Sequence, residues 1–226
     1  MSGFPPLSNV ANSLVGQPMF TILSKVQQME KSGENIVHLE LGDPDFDAPQ
    51  NVIEAVFKAM KEGLTHYSPS MGLPLFREAI QGFLLKEFRL ACDYEQVVVT
   101  PGANSGIYWV IRCLLNDGEE VLVPDPGFPS FVAAANASLV NAKKYNLLES
   151  NNFIPDVDEI KKLITKKTKL IIINSPSNPI GSIIPTDTLL KIYELALENK
   201  IYILSDDTYR RMGFDKKQNI TPSLTD

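Results

Sequence analysis

From Gln96 onward the chain alternates short apolar runs with helical stretches, and most of the runs stop in a polar turn rich in glycine, proline or asparagine. The clearest is LIIINSPSNPIG, residues 170–181. Residues 170–173 are continuously apolar and mostly β-branched, which suits a strand covered on both faces, as in a parallel sheet. Pro176 and Pro179 then fix φ and supply no N–H, so the following turn holds its asparagines in one shape. The runs VVVT, EVLVPDP, LVNAKKYNL, KLIIIN and IYILSDDTY read as strands or extended segments. Between them, helices are expected over 107–115, FPSFVAAANA, 156–164 and 186–198. Strands interleaved with helices require βαβ crossovers, so the expected class is α/β, a mostly parallel sheet sandwiched by helices.

The segment before Gln96 has a different texture. MSGFPPLSNVANS is an irregular arm, and Phe20, Leu23, Val26 and Met29 recur at helical spacing within 18–31. IVHLEL reads as a short strand ending at Gly42-Asp43-Pro44. Helices are expected over 51–62 and 73–90, separated by the loop HYSPSMG.

At 226 residues and 44% hydrophobic content the chain can bury a full core. Its net charge is −6, from 27 acids against 21 bases, and its basic residues form no cluster beyond pairs such as Lys166-Lys167 and Lys216-Lys217. That argues against nucleic acid or an anionic membrane as partner. Cys92 and Cys113 are the only cysteines, and the amino terminus lacks a basic-then-apolar signal, so a reducing, cytoplasmic setting is expected. The apolar runs fall far short of the roughly 20 residues that span a bilayer. His38, His66, Cys92 and Cys113 are scattered without ligand spacing, so no metal is expected.

Four strand ends carry groups able to converge on one ligand. Gly102-Ala103-Asn104 opens a helix, where free N–H groups and the helix dipole favour a phosphate, although a tight βα turn accounts for it equally well. It matches neither G-x-G-x-x-G nor G-x-x-x-x-G-K-[ST], which counts against a Rossmann-type dehydrogenase. Phe128, after Pro126-Gly127, is an aromatic at the mouth of the sheet or a core residue. Asn178 sits in the Pro/Asn turn. Asp206 ends a strand where an unpaired carboxylate is costly; it needs an N–H or cationic partner, for which Arg210 and Arg211 are candidates. Tyr209 either aims its hydroxyl at the same space or lies exposed in a loop.

In order along the chain, LELGDPDF, HYSPSMGLPLFREAI, VVVTPGAN, VLVPDPGFPSF, NSPSNPIG and LSDDTY resemble the successive motifs of the fold-type I aminotransferases, the aspartate aminotransferase superfamily, which use pyridoxal 5′-phosphate (PLP). Phe76, Ile180 and Asp207-Thr208 depart from the residues commonest in that family. The resemblance implies an incomplete PLP-binding large domain over 51–226, preceded by an arm and part of a small domain over 1–50. It implies that Ala103 and Asn104 hold the cofactor phosphate, that Phe128 stacks on its ring, that Asn178 and Tyr209 bond its phenolic oxygen, and that Asp206 pairs with its pyridine nitrogen. Gly42 would lie beside the substrate carboxylate, and Tyr67 would reach the phosphate of a neighbouring subunit's cofactor, making the enzyme a homodimer.

The family's Schiff-base lysine follows the Asp/Tyr strand in a Ser-x-Ser-Lys-like segment, and the 226 residues contain no counterpart. Lys216 and Lys217 read as solvated surface, so no catalytic residue is assigned, and the carboxy-terminal small domain is expected to be absent as well. The expected function is transfer of an amino group between an L-amino acid and a 2-oxo acid, with this chain alone inactive. A PLP-dependent C–S lyase or synthase of the same superfamily shares most of these residues, and the missing lysine also fits a non-catalytic PLP-binding or dimerisation module.

Overall fold

The structure is a computed structural model, and it describes residues 4–14, 17–214 and 222–224. Helices α1 (Asn9–Ser13), α2 (Pro18–Lys31), α3 (Gln50–Lys61) and α4 (Pro74–Phe88) come first. An alternating series follows: α5 (Ala103–Leu114), β1 (Glu120–Asp125), α6 (Pro129–Ala137), β2 (Asn141–Asn146), α7 (Val157–Leu163), β3 (Thr168–Asn174), α8 (Thr186–Asn199) and β4 (Tyr202–Asp206). The four strands form one sheet in the order β2-β1-β3-β4, and every neighbouring pair is parallel. The expected α/β sandwich is therefore present.

Alternation along the central strands divides the core into two layers. Val121 and Val123 of β1 and Leu170 and Ile172 of β3 face Ile107 and Ile111 of α5 and Phe131 of α6. Leu122, Ile171 and Ile173 face the opposite way, onto Ile160 of α7 and Leu189 and Ile192 of α8. Residues 170–173 are almost wholly inaccessible, which is why that run is apolar without interruption. Each layer is closed by short helices with identifiable ends. Asp156 caps α7 by accepting from the N–H groups of Asp158 and Glu159, and α8 stops where Lys200 turns left-handed.

Two expected strands do not form. Neither IVHLEL nor VVVT joins the sheet, because a strand needs a neighbour to satisfy its backbone groups and neither run has one among the described residues. His38 in the first run instead bonds Glu30 at 2.8 Å and Glu40 at 2.7 Å. The second is held by Val99 N–H donating to the Met71 carbonyl and by the side chain of Arg77. Helix α3 buries no residue: Val52, Ile53, Val56, Phe57 and Met60 stand about half exposed along it.

At the amino-terminal edge of the sheet Glu120 is a buried carboxylate with three partners on one oxygen. Its Oε2 accepts from Thr165 Oγ1 at 2.6 Å and Thr168 Oγ1 at 3.0 Å and pairs with Lys143 Nζ at 3.1 Å. Burial pushes the carboxyl up, but the two hydroxyls and the ammonium outweigh it and hold the group below the ordinary glutamate range. Lys216 and Lys217 lie outside the described residues.

Candidate functional site

The carboxyl ends of β1, β3 and β4 and the start of α5 surround a cleft of about 250 Å³. This is the edge at which open α/β sheets present ligands. Ala103, Asn104, Phe128, Asn178, Asp206 and Tyr209 all line it. Six residues expected from four separate motifs are thus brought to one space.

One wall is the N-terminus of α5. Gly102 supplies φ 79° and ψ 164°, a conformation essentially restricted to glycine, and carries no side chain to cap the helix. Ser105 Oγ donates to Pro101 O at 3.1 Å, Gly102 N–H donates to Thr100 O at 2.8 Å and Thr100 Oγ1 donates to Gly102 O at 3.0 Å, so these hydroxyls satisfy carbonyls of the turn. The first-turn N–H groups of the helix are left without a side-chain cap, beside the cleft.

The opposite wall is built by register. Asn174 and Asp206 are paired positions at the ends of β3 and β4. Asn174 is buried, donates from Nδ2 to the Asp206 carbonyl at 3.2 Å and accepts the Asn178 N–H on Oδ1 at 2.7 Å. It therefore ties the Pro/Asn turn to the end of β4. Ser177 closes the same turn, accepting from Gly181 N–H at 2.7 Å and donating its own N–H to Ser182 O at 3.0 Å. Asn178 then offers its Nδ2 to Tyr209 OH at 3.4 Å, placing two polar tips side by side.

Asp206 is half-buried, and it is the only charged residue among those lining the cleft. Its Oδ1 accepts from Thr208 N at 3.2 Å and Thr208 Oγ1 at 2.6 Å. The cationic partners considered from sequence go elsewhere. Arg210 lies 3.7 Å from Asp207 and over the Phe88 ring, and Arg211 lies 3.7 Å from Glu87. Among the described residues Asp206 has no cation paired with it.

Gly42 and Tyr67 do not line this cleft: Gly42 lies in an exposed stretch, and Tyr67 is fully exposed in the loop before α4. Pro101, Gly102 and Thr208 complete the lining; Thr208 belongs to a strand end expected here but was given no role, although an Asp-x-Thr turn is a local signal for such bonds. Asn174 escaped the sequence reading because its role depends on register with β4. A larger cleft, about 840 Å³, opens beyond β2 against α7, but two of its three acids serve the fold itself: Asp156 caps α7 and Glu159 accepts from Asn146.

The sequence pattern described as aminotransferase class I and II matches residues 34–225. The chain belongs to this family. Class I and II aminotransferases work with PLP. The aspartate aminotransferase of Pyrococcus horikoshii is 38% identical over 182 residues, covering 80% of this chain and 46% of its own length. Transaminase BacF of Bacillus subtilis is 32% identical over 212 residues, covering 93% and 53%. Among solved structures, the alanine aminotransferase of Pyrococcus furiosus superposes with a TM-score of 0.88 at 31% identity, over 93% of this chain and 54% of that one. The aspartate aminotransferase of Thermus thermophilus with maleate gives 0.87 at 30%, over 90% and 53%. This aminotransferase chain spans about half the length of the curated relatives it matches.

Proposed function

We propose that the chain is the cofactor-holding part of a PLP-dependent aminotransferase that exchanges an amino group between an L-amino acid and a 2-oxo acid. The observation that carries the reading is the pairing, within one cleft, of an uncapped helix N-terminus with a carboxylate that has no paired cation among the described residues. The donor set fits a ligand that is anionic at one end and carries a protonated ring nitrogen at the other. The N–H groups at Ala103 and Asn104 hold the phosphate. The carboxylate of Asp206, oriented by Thr208, accepts from the ring nitrogen and keeps it protonated. Asn178 and Tyr209 donate to the phenolic oxygen, and Phe128 covers a ring face. When bound, the ring supplies a sink for the electron pair left at the substrate Cα on deprotonation.

No residue of this chain is assigned the lysine's role of moving that proton, so the 226-residue chain alone is proposed to lack turnover. The same proposal keeps 1–50 as arm and part of a small domain, and 51–226 as large domain. It also keeps a cytoplasmic homodimer, with Gly42 near the substrate carboxylate and Tyr67 reaching the neighbouring cofactor. Two features support the dimer: Tyr67 is fully exposed, and the apolar residues of α3 stand about half exposed among the described residues. No described helix is long and apolar enough to cross a membrane.

The test is titration of the purified chain with PLP, followed by absorbance, with pyridoxal lacking the phosphate as comparison. Saturable binding of PLP, weakened by inorganic phosphate, is expected. Absence of saturable binding would overturn the reading.

A further inference from the structure

We propose that Arg77 is a positioning residue for the anion-binding turn at Gly102-Ala103-Asn104, acting through the backbone that leads into it and touching no ligand itself. The side chain is 6% exposed on α4, a costly place for a charge unless its donors are satisfied. Its Nε donates to Val97 O at 2.8 Å and its Nη2 to Tyr94 O at 2.8 Å, while the guanidinium lies 3.8 Å over the Tyr94 ring. Glu95 is also within 3.5 Å, but that carboxylate is 79% exposed and solvated, so it contributes little. The working partners of this buried cation are therefore two backbone carbonyls. A planar fork can serve two such acceptors at once, which a lysine ammonium does less well.

What the fork holds is a segment outside the sheet formed by the described residues. Residues 97–101 belong to no strand ladder among the described residues, although they run directly into the turn. Their second anchor comes from the same stretch of chain as Arg77: Val99 N–H donates to Met71 O at 3.0 Å. Gly72, at φ 108°, packs so tightly there that an added Cβ would sit 2.5 Å from Val99 Cγ2. Residues 71–77 thus grip 94–99 at two points, Arg77 at Val97 and Met71-Gly72 at Val99. Only Thr100 and Pro101 separate this grip from Gly102, so a displacement of Val97 is passed to the helix N-terminus.

For its ligand the inference rests on the proposed PLP reading, whereas the mechanical claim does not need it. Arg77→Met keeps the stem and removes the fork, and Arg77→Lys keeps the charge. Two readouts apply: hydrogen exchange of backbone amides in the ligand-free chain, and affinity for PLP against pyridoxal. In Arg77→Met, exchange over 97–105 should rise about tenfold or more with β3 unchanged, since about 1.4 kcal/mol of lost local stability is a factor of ten. PLP affinity should fall by a similar factor, while pyridoxal affinity changes by less than about threefold. Arg77→Lys should fall between, and it decides both readouts if Arg77→Met does not fold. Unchanged exchange over 97–105, an equal rise in β3, or equal losses for PLP and pyridoxal would each overturn the assignment. If the unmodified chain binds neither compound, the cofactor reading fails while the exchange measurement still judges Arg77.

Discussion

Exchanging Asp206 for asparagine removes the only charge among the residues lining the cleft while leaving its local bonds available. The Thr208 N–H and hydroxyl both donate to Oδ1, and an amide oxygen can accept both. Among the described residues no paired cation is stranded, because the nearby arginines are engaged with Asp207 and Glu87. The melting temperature of the ligand-free chain should therefore hardly move. A charge-assisted hydrogen bond to the ring nitrogen is worth about 1.5–3 kcal/mol, so PLP affinity should drop by about tenfold to a hundredfold or slightly more. Asp207→Asn is the matched control. Its carboxylate faces the buried guanidinium of Arg210 at 3.7 Å and accepts from Ser205 Oγ at 2.6 Å, so its loss should cost about 1–3 kcal/mol of stability with little direct effect on PLP. The assay is paired thermal denaturation and PLP titration at one protein concentration. An Asp206→Asn chain that melts much earlier yet binds PLP unchanged would refute the assignment of Asp206.

Glu120→Gln should destabilise the chain by about 1–3 kcal/mol at neutral pH, measured by urea unfolding, because the buried network loses its charge-assisted bonds. The depressed carboxyl contributes fully above the ordinary glutamate value of 4.5 and less as pH falls through its lower folded value, so the gap between the two proteins should narrow in acid; a gap that widens there refutes the network. His38 is raised above 6.5 by its bond to Glu30 and then by that to Glu40, so whatever it contributes is complete below 6.5 and lost as pH rises through the raised value. Its NMR titration midpoint should fall in Glu30→Gln, and an unmoved midpoint would dismiss the pairing.

The central strands were legible because they carry their own evidence: an apolar run such as 170–173 followed by turn residues that can only end it. The cleft was legible for a related reason, since Ala103, Phe128, Asn178 and Asp206 lie where such runs stop. Whatever depends on a neighbour was not. VVVT has the composition of a strand, yet Val97 and Val99 are held by Arg77 and Met71 instead. Asp206 was expected at the end of a buried strand with an N–H or a cation as partner; the N–H alternative holds, supplied by Thr208, but β4 is at the edge of the described sheet and the carboxylate is only half-buried. Asn174 looks like any other turn asparagine until register sets it opposite Asp206.

The strand order has a consequence for the order of events as the chain is made. Of the four described strands β1 and β2 emerge before the others and they pair; β3 then adds to the free side of β1, and β4 to the free side of β3. Each newcomer docks on an open margin, and none has to be inserted between strands already joined. Asp206 and Tyr209 arrive with the last of them. Nascent chains that stop short of β4 would already have the two hydrophobic layers seeded by β1 and β3 but would lack the Asp206 and Tyr209 wall of the cleft, so on the proposed reading PLP binding requires the docking of one five-residue strand.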